Sequence, residues 1–246
     1  MNILNDSNIL GESCIWDNFN EKYYWVDIIN KKIKSYDGIN ILENTTQKMP
    51  CCISIYNNQL TLALEDEIGI YDFRNNTFNS QLKLKDKNVR FNDGKIDNNG
   101  ILHIGTMDRN EKDFIGKIYK YYNGYLETLY ENIGISNGIS FDENNNMFYS
   151  DSLSGSIYYK NKLMFKYYEL GPDGACYNNK KYYSCLWGGS RIDIFNNLNL
   201  IDKLILPVKY PTCCCFGGKN LNKLFITSAS ILDKSKYNGK CIIIDF

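Results

Sequence analysis

The sequence is poor in residues on which several common enzyme classes depend. It contains a single histidine, His103, and four prolines among 246 residues. A serine hydrolase triad would have to be built around His103, and no glycine-rich phosphate-binding loop is present. Because His103 lies inside the strand-like segment ILHIG, we expect a packed strand histidine and not a catalyst. A metal-dependent reaction is therefore better supported than a histidine-dependent one.

Excess charge of one sign and long apolar runs are also missing. The 28 Lys and Arg residues balance the 28 Asp and Glu residues, and no basic run is dense enough to indicate a nucleic-acid or membrane surface. No apolar run approaches the ~18 residues that span a bilayer, and the segment MNILNDSNIL lacks the pattern of a secretory signal. We expect a soluble cytoplasmic monomer that binds neither nucleic acid nor membranes.

The nine cysteines do not form a recognisable disulfide or zinc pattern. Two are adjacent at positions 51–52, three are consecutive at positions 213–215, and no Cys-x-x-Cys pair occurs. Consecutive residues of a strand point to opposite faces, so these runs are not spaced for pairing. We expect buried, reduced thiols. The alternative is a reactive thiol that faces the interior, at Cys52 or Cys213.

What the sequence does contain is one pattern repeated six times from end to end. In each copy a strand-like stretch is followed, after a turn, by a second stretch and its hairpin partner. The second stretches begin 37, 42, 45, 35 and 42 residues apart, a mean of about 40, as expected for one four-stranded propeller blade. We therefore predict one all-β domain over residues 1–246, a six-bladed β-propeller of four-stranded antiparallel blades around a central channel. The second stretches start at Tyr23, Leu60, Leu102, Met147, Tyr182 and Leu224.

The two ends of the chain are predicted to share the last blade. The segment GKCIIIDF ends the chain, and a propeller usually completes one blade with strands from both termini. The N-terminal segment NILNDSN is the candidate partner. It should pair beside the blade that runs from Leu224 to Phe246.

Corresponding positions of the repeats should meet at one end of the channel. In the first copy the core residue of the first stretch is Trp16. The position that should face the channel end lies four residues before this core residue in each copy. Two carboxylates and two amides occur in this set, and a purely structural ring has no need of so many polar oxygens. The six equivalent residues are Glu12, Cys52, Asn92, Asn137, Asp173 and Thr212.

Five short motifs occur at the first stretches of the blades. They are LGESCIWD from Leu10, VRFNDGK from Val89, ISNGISFD from Ile135, GPDGACYN from Gly171 and PTCCCFGGKN from Pro211. With these motifs the chain resembles the family of regucalcin (senescence marker protein), gluconolactonase and the luciferin-regenerating enzyme. The resemblance covers nearly the whole chain, blade by blade and in order.

The resemblance implies a metal-dependent lactonase. One divalent metal ion would be held in the channel by Glu12, Asn137 and Asp173, with Asp173 also the catalytic proton acceptor and donor. Arg90 and Asn92 would contact the substrate, a sugar lactone that opens to an aldonic acid. Oxygen ligands suit calcium, magnesium or manganese, and zinc also accepts them; calcium and zinc are favoured here. Arg90 has a structural alternative as an ion-pair partner of Asp93 or of a carboxylate from another blade.

One segment departs from the family pattern. Relatives carry a further substrate-contacting glutamate in the insertion after the GTM motif, where this chain reads GTMDRNEKDFIGKIY. Glu111 lies near that position without clear register, and Asp108 is the other candidate. We expect Glu111 to contact substrate, with the loops over the channel mouth shorter than in relatives.

The same residues allow two other functions. A calcium-binding regulatory protein without essential catalytic turnover would use the same three ligands but would have no need of Arg90 and Asn92. An interaction scaffold would instead have aromatic or charged patches on its outer faces, because propellers host many functions. The sequence offers no distinct patch of this kind.

Overall fold

The chain folds into a ring of six four-stranded antiparallel sheets, which confirms the predicted six-bladed β-propeller. A computed structural model describes residues 1–246. Blade 1 contains β2 (Gly11–Asp17), β3 (Lys22–Asp27), β4 (Lys32–Tyr36) and β5 (Ile41–Thr45). Blade 2 contains β6 (Pro50–Tyr56), β7 (Gln59–Leu64), β8 (Glu67–Asp72) and β9 (Thr77–Lys83).

Blades 3 to 5 repeat the same order from the channel outward. Blade 3 contains β10 (Val89–Ile96), β11 (Leu102–Asp108), β12 (Gly116–Tyr122) and β13 (Tyr125–Ile133). Blade 4 contains β14 (Ser136–Phe141), β15 (Met147–Asp151), β16 (Ser156–Tyr159) and β17 (Lys162–Lys166). Blade 5 contains β18 (Gly171–Asn178), β19 (Lys181–Trp187), β20 (Arg191–Asn196) and β21 (Asn199–Ile205).

Blade 6 joins the two ends of the chain. It contains β22 (Pro211–Gly217), β23 (Lys223–Ser228), β24 (Ile242–Asp245) and, as its outermost strand, β1 (Asn2–Ile3). Asn2 pairs with Ile243, and the Asn8 amide donates to the carbonyl of Gly239 at 2.8 Å. Asn8 also accepts from the Trp25 indole at 3.1 Å, which ties the N-terminus to blade 1. The predicted closure is confirmed.

The burial pattern explains why these segments pair in this order. The second strand of blade 1 is buried at five of its six residues, whereas the outermost strand of blade 5 is exposed at five of seven. Inner strands therefore pack on both faces against neighbouring blades, and outer strands meet water on one face. The apolar clusters accordingly bridge adjacent blades: one joins Tyr183 and Cys185 of blade 5 to Leu224 and Ile226 of blade 6.

The nine cysteines are all free and all buried, as expected from the sequence. Burial raises the pKa of Cys52 to about 12. The interaction with Cys14, and then burial, raise the pKa of Cys213. Both thiols are therefore protonated at neutral pH, and neither has the low pKa of a reactive nucleophile. The structure contains no helix of the length and apolarity needed to cross a bilayer.

Candidate active site

A β-bulge in the innermost strand shapes one end of the channel. In five of the six blades two residues of the innermost strand lie opposite a single residue of the second strand. Glu12 and Asn137 are the last paired residues before their bulges, while Asn92 and Asp173 are the first bulged residues. A bulge bends the strand and redirects its side chains. This local distortion, repeated around the ring, places the polar residues of different blades at the same end.

Glycine is required at one of these bulges. Gly138 follows Asn137 and has a φ of +61°, a conformation that other residues rarely adopt. A Cβ at this position would lie 2.6 Å from the Ser150 hydroxyl and 2.9 Å from the carbonyl of Asp173. The backbone of blade 4 can therefore approach blade 5 closely only because position 138 has no side chain.

Three largely buried carboxyl groups gather in the channel. Asp173 is 5% exposed and Asp93 is 9% exposed. Burial raises the pKa of Glu12, and the charges of Asp173 and Asp93 raise it further. Burial, then the charge of Asp93, likewise raises the pKa of Asp173, and its interaction with Glu12 lowers it. Burial and mutual repulsion thus disfavour the ionised forms of these groups, and a cation among them would favour the ionised forms.

The amide of Asn137 is oriented by its neighbours. Its Nδ2 donates to the hydroxyl of Ser152 at 2.9 Å, and that hydroxyl donates to the carbonyl of Pro172 at 2.6 Å. The amide oxygen is thereby turned the other way, where it accepts from Nδ2 of Asn92 at 3.0 Å. No three acidic, histidine or cysteine side chains form a metal cluster. The predicted ligands are two carboxylates, Glu12 and Asp173, and this amide oxygen. Such hard oxygen donors fit a divalent ion.

Ser152 contacts the candidate site and was not identified from the sequence. It follows β15 in the segment DSLSGS. This segment contributes to the resemblance to the family but does not by itself indicate a role for the serine. Its position between Asn137 and Pro172 depends on how blade 4 packs against blade 5. The available signal was a hydroxyl at the end of the strand that pairs with the ISNG motif.

Arg90 lies beside this group and makes no ion pair with Asp93. Its Nη1 donates to Oδ1 of Asn92 at 2.8 Å and to the carbonyl of Phe91 at 3.0 Å. Asp93 instead accepts from the backbone N–H of Ile139 at 3.0 Å. Arg90 therefore does not form the ion pair with Asp93 that was its structural alternative. Its Nε and Nη2 remain as donors without a protein partner.

The loop after β11 does not join the cluster. Glu111 is exposed, has a positive φ of 58° and makes no side-chain hydrogen bond. Asp108 is 2% exposed, and its carboxylate accepts from the backbone N–H groups of Asn110, Lys112 and Asp113. Asp108 therefore caps its own loop and is not free for substrate. Contact between Glu111 and a substrate stays a prediction.

The remaining equivalent positions are structural. Cys52 is buried, and Thr212 bonds the hydroxyl of Thr227 at 2.9 Å and the carbonyl of Gly11. His103 pairs its Nε2 with Asp97 at 3.1 Å and packs on Phe141 at a ring distance of 4.8 Å. The expectation of a packed strand histidine is confirmed. The polar groups of this channel end thus come from blades 1, 3, 4 and 5.

Comparison with known proteins identifies this architecture. Residues 10–230 match the family described as SMP-30/Gluconolactonase/LRE-like region. A protein of Bacillus subtilis (strain 168) with the provisional name sugar lactone lactonase YvrE is 28% identical over 255 residues, covering 93% of this chain and 87% of that protein. Regucalcin of Danio rerio is 26% identical over 254 residues, covering 93% and 86%.

A solved structure has the same fold. The crystal structure of regucalcin from Agrobacterium tumefaciens str. C58, described as a calcium-binding protein, superposes with a TM-score of 0.88 at 20% identity, covering 97% of this chain and 90% of that one. The family match spans all the blades that supply Glu12, Asn92, Asn137 and Asp173. The chain belongs to the SMP-30/gluconolactonase/LRE-like family.

Proposed function

We propose that this protein is a divalent-metal-dependent lactonase that opens sugar lactones to aldonic acids. The observation that carries the proposal is the buried group of Glu12, Asp173 and the oriented Asn137 oxygen, with the free donors of Arg90 next to it. Family membership and the lactonase name of the Bacillus subtilis relative support the same activity. Calcium or zinc is the favoured ion, and the Agrobacterium relative's description as calcium-binding supports calcium.

The chemistry follows from the residues at the site. Glu12, Asn137 and Asp173 would hold the ion, which when bound polarises the lactone carbonyl and lowers the cost of charge on its oxygen. Asp173 accepts the proton of the attacking water as the water oxygen bonds to the carbonyl carbon. The ring C–O bond then breaks, and the departing ring oxygen takes the proton from Asp173. One water is consumed and one hydroxy acid is formed.

Arg90 and Asn92 position the substrate in this scheme. The bond from Arg90 to Asn92 holds the guanidinium in place and leaves Nε and Nη2 to donate to hydroxyls of the sugar ring. Asn92 in turn donates to Asn137 at 3.0 Å, so substrate contact and the proposed ligand set are linked by one hydrogen bond. A protein that only bound calcium would have no use for these free donors.

We further propose that the protein acts as a cytoplasmic monomer. Nine buried, unpaired cysteines support a reducing compartment, where disulfides are rare. The proposed partner is a small sugar lactone, and the site lies within one chain.

The test is a lactonase assay of metal-stripped protein against a panel of aldonolactones, with calcium, zinc, magnesium and manganese restored in turn. Acid release is followed in a pH-stat and corrected for spontaneous hydrolysis. We expect ion-dependent turnover that Asp173→Asn lowers by about a hundredfold or more. Asp202→Asn, an exposed carboxylate on β21, is the matched control and should keep the wild-type rate.

Two results would overturn the proposal. Turnover in Asp173→Asn equal to that of the wild type would exclude the assigned role of this carboxylate. Tight calcium binding without turnover of any aldonolactone would instead favour the regulatory calcium-binding function.

A further inference from the structure

A second cavity opens at the other end of the channel. It has a volume of about 640 Å³ and is lined by the C-terminal ends of all six innermost strands. Three to four residues of strand, or roughly 10 to 13 Å at ~3.3 Å per residue, separate it from Glu12, Asn92, Asn137 and Asp173, and two residues separate Lys95 from Asp93. Cys14, Cys52 and Cys213, each no more than 3% exposed, fill the interior between the two ends. The two sites are therefore distinct.

A lysine without a partner faces this cavity. Lys95 lies on β10, and none of the ion pairs of the structure includes it. Its ammonium also donates no hydrogen bond to the protein. Burial raises the pKa of Asp93 and the charge of Lys95 lowers it, but the two form no ion pair, and the Asp93 carboxylate accepts from the backbone N–H of Ile139 at 3.0 Å. No aspartate or glutamate lines the cavity. An ammonium without an ion-pair partner at a partly buried position attracts an anion.

Two further polar groups of the lining lack partners. Ser140 is 2% exposed, and its hydroxyl has no hydrogen-bond partner. The indole N–H of Trp16 is also buried and unpaired. Buried polar atoms are rarely left unsatisfied, so each of these groups calls for an explanation. Ser140 lies on β14 and Trp16 on β2, and both line the same cavity as Lys95.

The rest of the lining is mainly apolar. Aromatic rings from three more positions, Phe141, Tyr177 and Phe216, join Trp16 around the cavity. The volume lies in the range of ordinary small-molecule sites, which combine apolar walls with a few convergent polar groups. The only other lysine of the lining, Lys219, has a side chain that is 80% exposed and lies at the rim. Lys95 is thus the one cationic side chain inside the cavity, and it matches a ligand with a single negative charge.

We propose that this cavity binds a small monocarboxylate with a flat apolar body, whose carboxylate is recognised by Lys95, Ser140 and Trp16. The two carboxylate oxygens accept from the ammonium, the hydroxyl and the indole N–H. The apolar body lies among the aromatic rings. The site is separate from the lactonase chemistry and does not depend on it.

The probes are phenylacetate and its neutral isostere phenylacetamide, titrated into the full-length, metal-loaded protein by calorimetry. We expect phenylacetate to bind at least tenfold more tightly than phenylacetamide, because a hydrogen bond to a charged group is worth about tenfold or more in affinity. Lys95→Met should bind the two probes with similar affinity. Lys203 is an exposed lysine on β21, and Lys203→Met should keep the preference for phenylacetate. Phenylacetate should also change the tryptophan emission of the wild type and leave that of Trp16→Phe nearly unchanged.

Further variants keep the proposal open to refutation. Should Lys95→Met fold poorly, Ser140→Ala is expected to weaken phenylacetate binding severalfold with little effect on phenylacetamide. Asp173→Asn should leave phenylacetate affinity unchanged; a loss there would mean that the probe binds at the other end of the channel. Equal affinity for the two probes, no binding of either, or wild-type affinity in a folded Lys95→Met would each overturn the proposal.

Discussion

Replacing Asp93 with asparagine should change how stability depends on pH. Asp93 is buried, and burial raises its pKa to about 6 from an ordinary value of 3.8. The native carboxyl therefore keeps its proton over a range in which the unfolded chain has lost it. Between about pH 4 and 6 the folded state binds more protons, so the free energy of unfolding falls as pH rises.

The size of the effect follows from the shift. A change of roughly two units at ~1.36 kcal/mol per unit gives about 3 kcal/mol lost across this window. The substituted asparagine would carry no charge, and its amide oxygen can still accept from the N–H of Ile139, as Asp93 does at 3.0 Å. Asp93→Asn should thus match the wild type near pH 4 and be more stable by about 3 kcal/mol at pH 7 in metal-stripped protein. Removing this charge also relieves Glu12 and Asp173, which acts in the same direction.

The assay is urea unfolding of metal-stripped protein from pH 4 to pH 7.5, followed by tryptophan emission and far-ultraviolet circular dichroism. Asp202→Asn is the control and should follow the wild-type curve. Saturating calcium should flatten the wild-type dependence, because a cation stabilises the ionised carboxylates. Parallel curves for Asp93→Asn and the wild type between pH 4 and 6 would refute the reasoning.

Three other outcomes are expected. Deletion of residues 1–8 removes the partner of the buried Trp25 indole and the strand that closes blade 6, so the midpoint of thermal unfolding should fall by roughly 10 °C; an unchanged midpoint would argue against closure as a source of stability. Ser152→Ala frees the Asn137 amide to rotate and should weaken calcium binding by about tenfold to a hundredfold in calorimetric titration, with little change in unfolding; wild-type affinity would show that the amide needs no such support. The nine thiols should be inert to a disulfide reagent in native protein and all react in denaturant; rapid labelling of native protein would contradict their burial.

The fold could be predicted because its signals are local and repeated. Strand alternation and turns depend on neighbours in sequence, and six copies at a nearly constant spacing leave few other architectures. The same count located Glu12, Asn92, Asn137 and Asp173 at one end of the channel, because equivalent positions of a ring must converge. The bulges refine this picture: Asn92 and Asp173 are bulged residues, while Glu12 and Asn137 directly precede theirs.

The details of the site could not be predicted because they depend on contacts between blades. Arg90 donates to Asn92 and not to Asp93, since the Asp93 carboxylate accepts from a backbone N–H of blade 4. The loop after β11 showed two candidate carboxylates, and only the folded chain revealed that Asp108 is consumed in capping that loop. Side-chain choices of this kind are made by residues that are distant in sequence.

The sequence by itself thus determined the number of blades, the closure by the two termini and the set of residues at one end of the channel. Only the tertiary structure decided which way the Asn137 amide faces, that Cys52 and Cys213 are sealed inside, and that Lys95 faces a second cavity without a partner. The physical reason is the distance along the chain over which each interaction acts. Strand periodicity acts over a few residues, whereas burial, charge and hydrogen bonding at the channel depend on side chains brought together from different blades.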